Sequence, residues 1–194
     1  MHSVFMTLSR VMAYLGGVML CALVVLTCLS VLGRELNDIA HTWIDAGILP
    51  GLAQTVLDLG VGPINGDFEL IESGVAFAIF AFIPLCQITG GHASVDIFTA
   101  MMSPRSNRIL SAVIEVVFAA VLVLIAVQIF AGMQSKIRTG QTTLLLEFPV
   151  WWAYAPSVAG AVMAACVAIY MAIQRVREAV TGRQIVPVAA GAEH

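Results

Sequence analysis

Four long stretches of this chain are almost free of charge, and this feature decides what the chain can fold into. Residues 11–33, 73–95 and 148–174 contain no Asp, Glu, Lys or Arg, and residues 109–135 contain one such residue, Glu115. A helix needs about 20 apolar residues to cross a bilayer, and none of the stretches alternates as barrel strands do. We predict an all-α integral membrane protein with four transmembrane helices, near residues 11–33, 69–90, 109–133 and 148–174, within a single membrane domain of residues 1–194.

The composition excludes proteins that work in water or on nucleic acid. Hydrophobic residues make up 60% of the chain and charged residues 11%, against about 45–50% and about 25% in ordinary soluble domains. Lys136 is the one lysine among nine basic residues, so no basic patch is present to bind phosphate groups. The chain also lacks a Ser-His-Asp order, a glycine-rich phosphate loop and a His-Glu-x-x-His motif. We therefore expect that the protein is not an enzyme and does not bind nucleic acid.

The basic residues are divided unequally between the two sides of the predicted spans. With four spans, both termini and the connection at residues 92–103 lie on the same side. That side carries Arg10, Arg105, Arg108, Arg175, Arg177 and Arg183, and the opposite side carries Arg34, Lys136 and Arg138. Because Lys and Arg are enriched in cytoplasmic loops, we expect both termini in the cytoplasm.

The segment between the first two spans has the pattern of an amphipathic helix. Within residues 35–60, apolar side chains such as Leu36, Trp43 and Ile48 recur at helical spacing, with acidic residues opposite, and Pro50 divides the segment. Both parts are too short and too acidic to cross a bilayer. We predict one or two amphipathic helices at the periplasmic interface, with Trp43 against membrane lipids or neighbouring helices. A cap packed on the helix ends is the alternative.

Charged side chains in or beside the spans are candidate functional residues, because polar groups within a membrane are costly. Glu115 lies about two turns inside the third span, where it serves either as a structural hydrogen-bonding partner or in a proton relay. Glu69 and Glu72 lie at the outer end of span two, level with Arg34, so one of them is placed to form an ion pair with Arg34. Proton transport through the two glutamates is the alternative.

Two further groups concern helix ends and helix packing. His92 and Asp96 follow span two at a spacing of four residues, which allows a hydrogen bond, and we expect them to fix the inner helix end. A metal or haem site is disfavoured there because His41, the other histidine away from the termini, lies across the membrane. Gly160 and Ala164 belong to a stripe of small residues in span four that allows close helix contacts.

Several motifs follow one another along the chain. They are Gly33–Asn37 closing span one, Asp67–Glu72 opening span two, Phe82–Gln87 within it, Gly91–Phe98 after it and Phe148–Trp152 opening span four. In this order they resemble the small membrane subunit of tripartite ATP-independent periplasmic (TRAP) transporters over nearly the whole chain. That family often has Trp-x-x-Glu before span two, where this chain has Phe68, so Glu69 and Glu72 are both candidates for the family glutamate.

The resemblance implies a secondary transporter in the bacterial inner membrane for an organic acid or related small solute. It implies a periplasmic solute-binding protein that delivers the solute and a large membrane subunit that carries the substrate and sodium sites and moves as an elevator. This chain would brace the large subunit and hold no catalytic, cofactor-binding or metal residue, with sodium bound in the large subunit only. The residues alone leave two other functions open: a membrane anchor of a respiratory enzyme with haem or quinone, and a small proton-coupled carrier using Glu115.

Overall fold

The structure, a computed structural model, describes residues 2–91 and 103–182. These residues form five helices: α1 (His2–Asp45), α2 (Pro50–Asp58), α3 (Asp67–Thr89), α4 (Pro104–Thr139) and α5 (Trp151–Thr181). The described part of the chain has no β-structure apart from an isolated bridge between Thr142 and Pro149. By length and composition, α1, α3, α4 and α5 can each cross a membrane. The prediction of an all-α protein with four spans is confirmed.

The first helix continues far beyond the predicted span. α1 contains 44 residues and is therefore about 66 Å long at 1.5 Å per residue, roughly twice the thickness of a hydrocarbon core of about 30 Å. No proline occurs between Arg34 and Leu49, and a single glycine such as Gly33 weakens a helix by only about 1 kcal/mol. The helix therefore continues through Arg34 and ends at Asp45, before Pro50 begins α2.

This continuity changes the interpretation of residues 35–60. The first part of the predicted interfacial segment is the last part of α1, and the second part is α2, which folds back and packs against α1. A separate segment lying in the plane of the membrane is not confirmed. Each helix buries an alanine in this hairpin, Ala40 on α1 and Ala53 on α2. We call the end of the molecule that carries α2 the outer end, and the opposite end the inner end.

The four long helices lie side by side in the order α1, α3, α5, α4. Extensive packing joins α1 to α3, α3 to α5 and α5 to α4, whereas α1 touches α5 only slightly and the described parts of α1 and α4 do not pack together. A compact four-helix bundle would bring the first and last helices together. This arrangement is instead an open row, in which α3 and α5 are inside and α1 and α4 form the two edges.

The contact between α1 and α3 repeats every seven residues in antiparallel register. Ser9, Gly16, Leu23 and Ser30 are the buried residues of the spanning part of α1. Gly16 lies against Ala81, Leu23 lies against Gly74, and Ser30 hydrogen-bonds to Asp67. A seven-residue repeat keeps a contact seam on one side of both helices. Glycine at two levels of this seam brings the helix backbones close together.

The contacts of α5 depend on small residues. Most of its buried positions are Ala, Gly or Ser, including Ser157, Gly160, Ala161, Ala164 and Ala168. Gly160 faces Phe80 and Ala81 of α3, and a Cβ atom there would lie 2.9 Å from Phe80 Cβ. On the same side of the helix, Ala164 and Ala168 pack with Ala119 and Leu122 of α4. One stripe of small residues thus lets α5 approach both α3 and α4 closely.

Candidate functional site

At the outer end, α1 fixes the loop that leads into α3. The Ser30 hydroxyl donates to Asp67 Oδ2 and accepts the Ile64 N–H at 3.3 Å. One turn further, Gly33 lies against the Gly62 carbonyl, where a Cβ atom would overlap the oxygen. The Asn37 amide then donates to the Val61 carbonyl at 3.0 Å. Three side-chain positions on one face of α1 thus determine the path of residues 61–67.

Glu69 holds the loop between α4 and α5. Its two carboxylate oxygens accept the backbone N–H groups of Leu145 and Leu146 at 2.8 and 3.0 Å. The same loop is closed by the Thr142–Pro149 bridge and by a hydrogen bond of 2.9 Å from the Thr143 N–H to the Phe148 carbonyl. The loop connecting α4 and α5 is therefore fastened to the first turn of α3.

A cavity of about 430 Å³ lies beneath this loop, between α3, α4 and α5. Its size is within the range of small-molecule sites, about 300–1,000 Å³. Its polar residues include Glu69, Glu72, Ser73 and Ser157, but Glu69 binds the loop and both serines donate to carbonyls of their own helices. Glu72, Thr143 and Tyr154 are the other polar residues of the lining, and the cavity extends along the outer half of α3, from Glu69 to Phe80.

A second polar cluster lies towards the inner end. The buried Gln87 of α3 donates from Nε2 to Glu115 Oε2 of α4. Arg175 of α5 lies within electrostatic range of Glu115 and forms an ion pair of 2.9 Å with the buried Glu178. The cluster links α3, α4 and α5, and its charges are partnered as buried charges must be.

Comparison with known proteins adds the decisive observation. The family model "Tripartite ATP-independent periplasmic transporters, DctQ component" matches residues 51–178, which is about two thirds of the chain. The chain belongs to this family. It is a small membrane subunit of a TRAP transporter and a multi-pass membrane protein. No curated protein and no solved structure gives a significant match.

In this TRAP subunit, Glu69 and Glu72 have different surroundings, although the sequence did not distinguish between them. Glu69 binds the α4–α5 loop, whereas Glu72, one turn later, lines the cavity and accepts no hydrogen bond from the described residues. Arg34 is exposed and forms no ion pair with either glutamate; the ion pair in the described part joins Arg175 to Glu178. The predicted pairing of Arg34 is therefore wrong in this structure, because Glu69 is turned towards the loop.

The other predicted residues lie in several different places. Glu115 takes part in the inner polar cluster, and Gly160 and Ala164 lie in the contacts of α5 with its two neighbours. Trp43 lies on the outer part of α1 and is 40% exposed. His92 and Asp96 lie outside the described residues. The candidates therefore form no single site.

Sequence reasoning missed several residues that hold these helices together. They are Ser30, Asp67, Gln87, Arg175 and Glu178. The seven-residue spacing of buried positions on α1 could have indicated Ser30, and the polar residues Asp67 and Gln87 bracket α3. Nothing in the sequence shows, however, which helices are neighbours, so the partners could not have been assigned.

The arrangement offers no obvious place for a metal ion. Within residues 2–91 and 103–182, no three His, Cys, Asp or Glu side chains converge on a common point. Apart from Glu72 and the exposed Arg34, the polar groups described above bind other parts of the same chain. What the geometry can do in this TRAP subunit is hold helices and loops in fixed positions.

Proposed function

We propose that this TRAP small subunit is a stationary brace for the large membrane subunit. In this account the large subunit carries the substrate and sodium sites and moves as an elevator. A periplasmic binding protein delivers the solute, an organic acid or a related small anion. The chain itself contacts neither solute nor sodium.

The open row of continuous helices is the observation that carries this proposal. Small-residue contacts join α3 to both α1 and α5, and α5 to α4, so the row has little room for one helix to slide along another. An open row also widens a partner's perimeter more than a compact bundle of the same helices would. Both properties suit a part that stays still while another subunit moves.

The described helices also lack the features of a transport site. Secondary transporters commonly bind solute near the bilayer centre, between helices that are interrupted there. Within the described residues, α1, α3, α4 and α5 run without interruption. The cavity beneath the α4–α5 loop occupies the outer half of the helices, and two further hollows, one on α4 and α5 and one between α1, α3 and α5, are lined almost entirely by apolar side chains. These observations support a bracing role over independent transport.

The distribution of charge supports the proposed orientation. Arg108 reaches from the start of α4 to the Gly182 carbonyl after α5 at 2.8 Å, so the arginine-rich helix ends meet at the inner end. The outer end carries acidic residues on α1, including Glu35, Asp38 and Asp45. With the inner end in the cytoplasm, this acidic surface faces the periplasm, where the binding protein approaches.

Reconstitution with one component omitted at a time tests the proposal. The solute is first chosen as the organic acid that most strongly stabilises the cognate binding protein against thermal unfolding. Vesicles with the large subunit, this chain and the binding protein should take up that solute when a sodium gradient is applied. Vesicles without this chain should lose most uptake, and vesicles with this chain alone should show none. Uptake by the chain alone would refute the proposal.

A further inference from the structure

One exposed face of α1 carries a narrow row of large apolar residues that continues out of the membrane. It consists of Val25, Leu29, Leu32, Leu36, Ile39 and Trp43, which we call the α1 stripe, and each is 40–58% exposed. The residues alternate in steps of four and three, the spacing by which one helix packs along another. The stripe is distinct from the α1 face that contacts α3 and α2, which carries Ser30, Gly33, Asn37 and Ala40.

The outer half of the stripe lies beyond the lipid. Ser30 is bonded to Asp67, the first residue of α3, and therefore marks the outer end of the neighbouring span. Trp43 lies 13 residues further along α1, which is about 20 Å at 1.5 Å per residue, whereas the headgroup layer adds only about 5–8 Å on each side. If α1 were tilted by about 40°, Trp43 would still lie about 15 Å further out than Ser30 along the membrane normal.

The neighbouring face of α1 shows what contact with lipid alone produces. On that face, Val24, Val31, Asp38 and Asp45 follow one another at a spacing of seven residues. The exposed Val24 and Val31 come first, and Asp38 and Asp45 follow where the helix leaves the membrane. The α1 stripe consists of two series with the same seven-residue spacing, and both stay apolar over this distance, ending in Ile39 and Trp43. Lipid therefore explains the first face, while the stripe needs a cover that continues into water.

We propose that the α1 stripe is the docking surface for the large membrane subunit, which packs along it with a spanning helix that extends past the outer membrane surface. This inference rests on the proposed function, because that function supplies the large subunit. Lipid covers only the inner half of the stripe, and a soluble binding protein reaches only the outer half. A partner that covers both halves must itself cross the membrane.

Site-specific photo-crosslinking in membranes that contain the complete transporter tests this assignment. A benzophenone amino acid at Leu36 or Ile39 should give an adduct between this chain and the large subunit. The matched positions Asp38 and Asp45, on the acidic face of the same helix, should give at least tenfold less. An adduct of two copies of this chain, an adduct with the binding protein, or no protein adduct at Leu36 and Ile39 would each overturn the inference.

A pair of polar substitutions gives a second readout. The double variant Leu36→Gln and Ile39→Gln should lower the amount of large subunit that co-purifies with a tagged chain at least tenfold. The control with Asp38→Gln and His41→Gln should leave that amount unchanged. If the large subunit co-purifies but neither cross-linking nor the variants involve the stripe, the inference fails and the proposed function stands. If the large subunit never co-purifies with the unaltered chain, the proposed function itself fails.

Discussion

At the scale of single residues, two glutamates one turn apart have different surroundings. The Glu69 carboxylate accepts two backbone N–H groups of the α4–α5 loop, and Glu72 lines the cavity beneath that loop. Glu69→Gln leaves one acceptor oxygen in place of two, so amide hydrogen exchange at Leu145 and Leu146 should become several-fold faster. Glu72→Gln removes the same charge and should leave exchange in the loop unchanged. Equal effects of the two variants would contradict the assignment of Glu69.

Glu115 is the residue for which structural and proton-relay roles are most easily separated. Its carboxylate accepts the Gln87 amide and lies in the electrostatic range of Arg175. Glu115→Gln keeps an oxygen acceptor, and uptake by the complete transporter should stay within about twofold of the original. Glu115→Leu removes the acceptor and should lower stability in detergent by about 1–3 kcal/mol. If Glu115→Gln assembles normally but abolishes uptake, protonation of this carboxyl is required and the structural role is insufficient.

At the scale of elements, glycine determines how closely α5 and α3 pack. A side chain at Gly160 would meet Phe80 Cβ at 2.9 Å and the Phe80 carbonyl carbon at 3.1 Å. Gly160→Leu should therefore reduce the free energy of unfolding by about 1–3 kcal/mol, as overpacking does in other cores. Ala159→Leu adds a large side chain at the adjacent exposed position and should change it little. Denaturant titration in detergent compares the two variants, and equal stability would show that the contact is looser than described.

A distance measurement can test whether α1 is one unbroken helix. Spin labels at Tyr14 and Asp45, in a background without the four native cysteines, are separated by 31 residues. An unbroken helix places the two positions about 46 Å apart at 1.5 Å per residue, whereas a right-angle bend at Arg34 would give about 34 Å. Pulsed electron resonance distinguishes the two values. The longer distance is expected, and the shorter one would restore the interfacial segment that the sequence pattern favoured.

The sequence predicted what depends on local composition and left open what depends on helix neighbours. The absence of charge over residues 11–33 or 148–174 indicates spans, because every helix in hydrocarbon must meet the same requirement. Whether residues 35–45 continue α1 was not decided by their amphipathic pattern, since an interfacial helix and an extended one share it. The partners of Ser30, Glu69 and Gln87 lie on other elements, and no local pattern identifies them.

At the scale of the whole molecule, the structure has two edges with different properties. The α1 edge continues beyond the outer membrane surface and carries the α2 hairpin, whereas α4 ends at Thr139, close to the loop that Glu69 fastens. The interior helices α3 and α5 are held on both sides by small residues. Helices packed in this way keep their relative positions through the whole thickness of the membrane, as the proposed stationary brace of an elevator-type transporter requires.

A rigid cross-link tests whether this chain stays still while the large subunit transports. A disulfide between an introduced cysteine on α1, in the cysteine-free background, and one on the fixed part of the large subunit is formed in reconstituted vesicles. Sodium-driven uptake is then compared with that of the two single-cysteine controls under the same oxidant. Uptake should be retained after cross-linking. Loss of uptake in the cross-linked complex, with both controls active, would mean that this chain moves during transport.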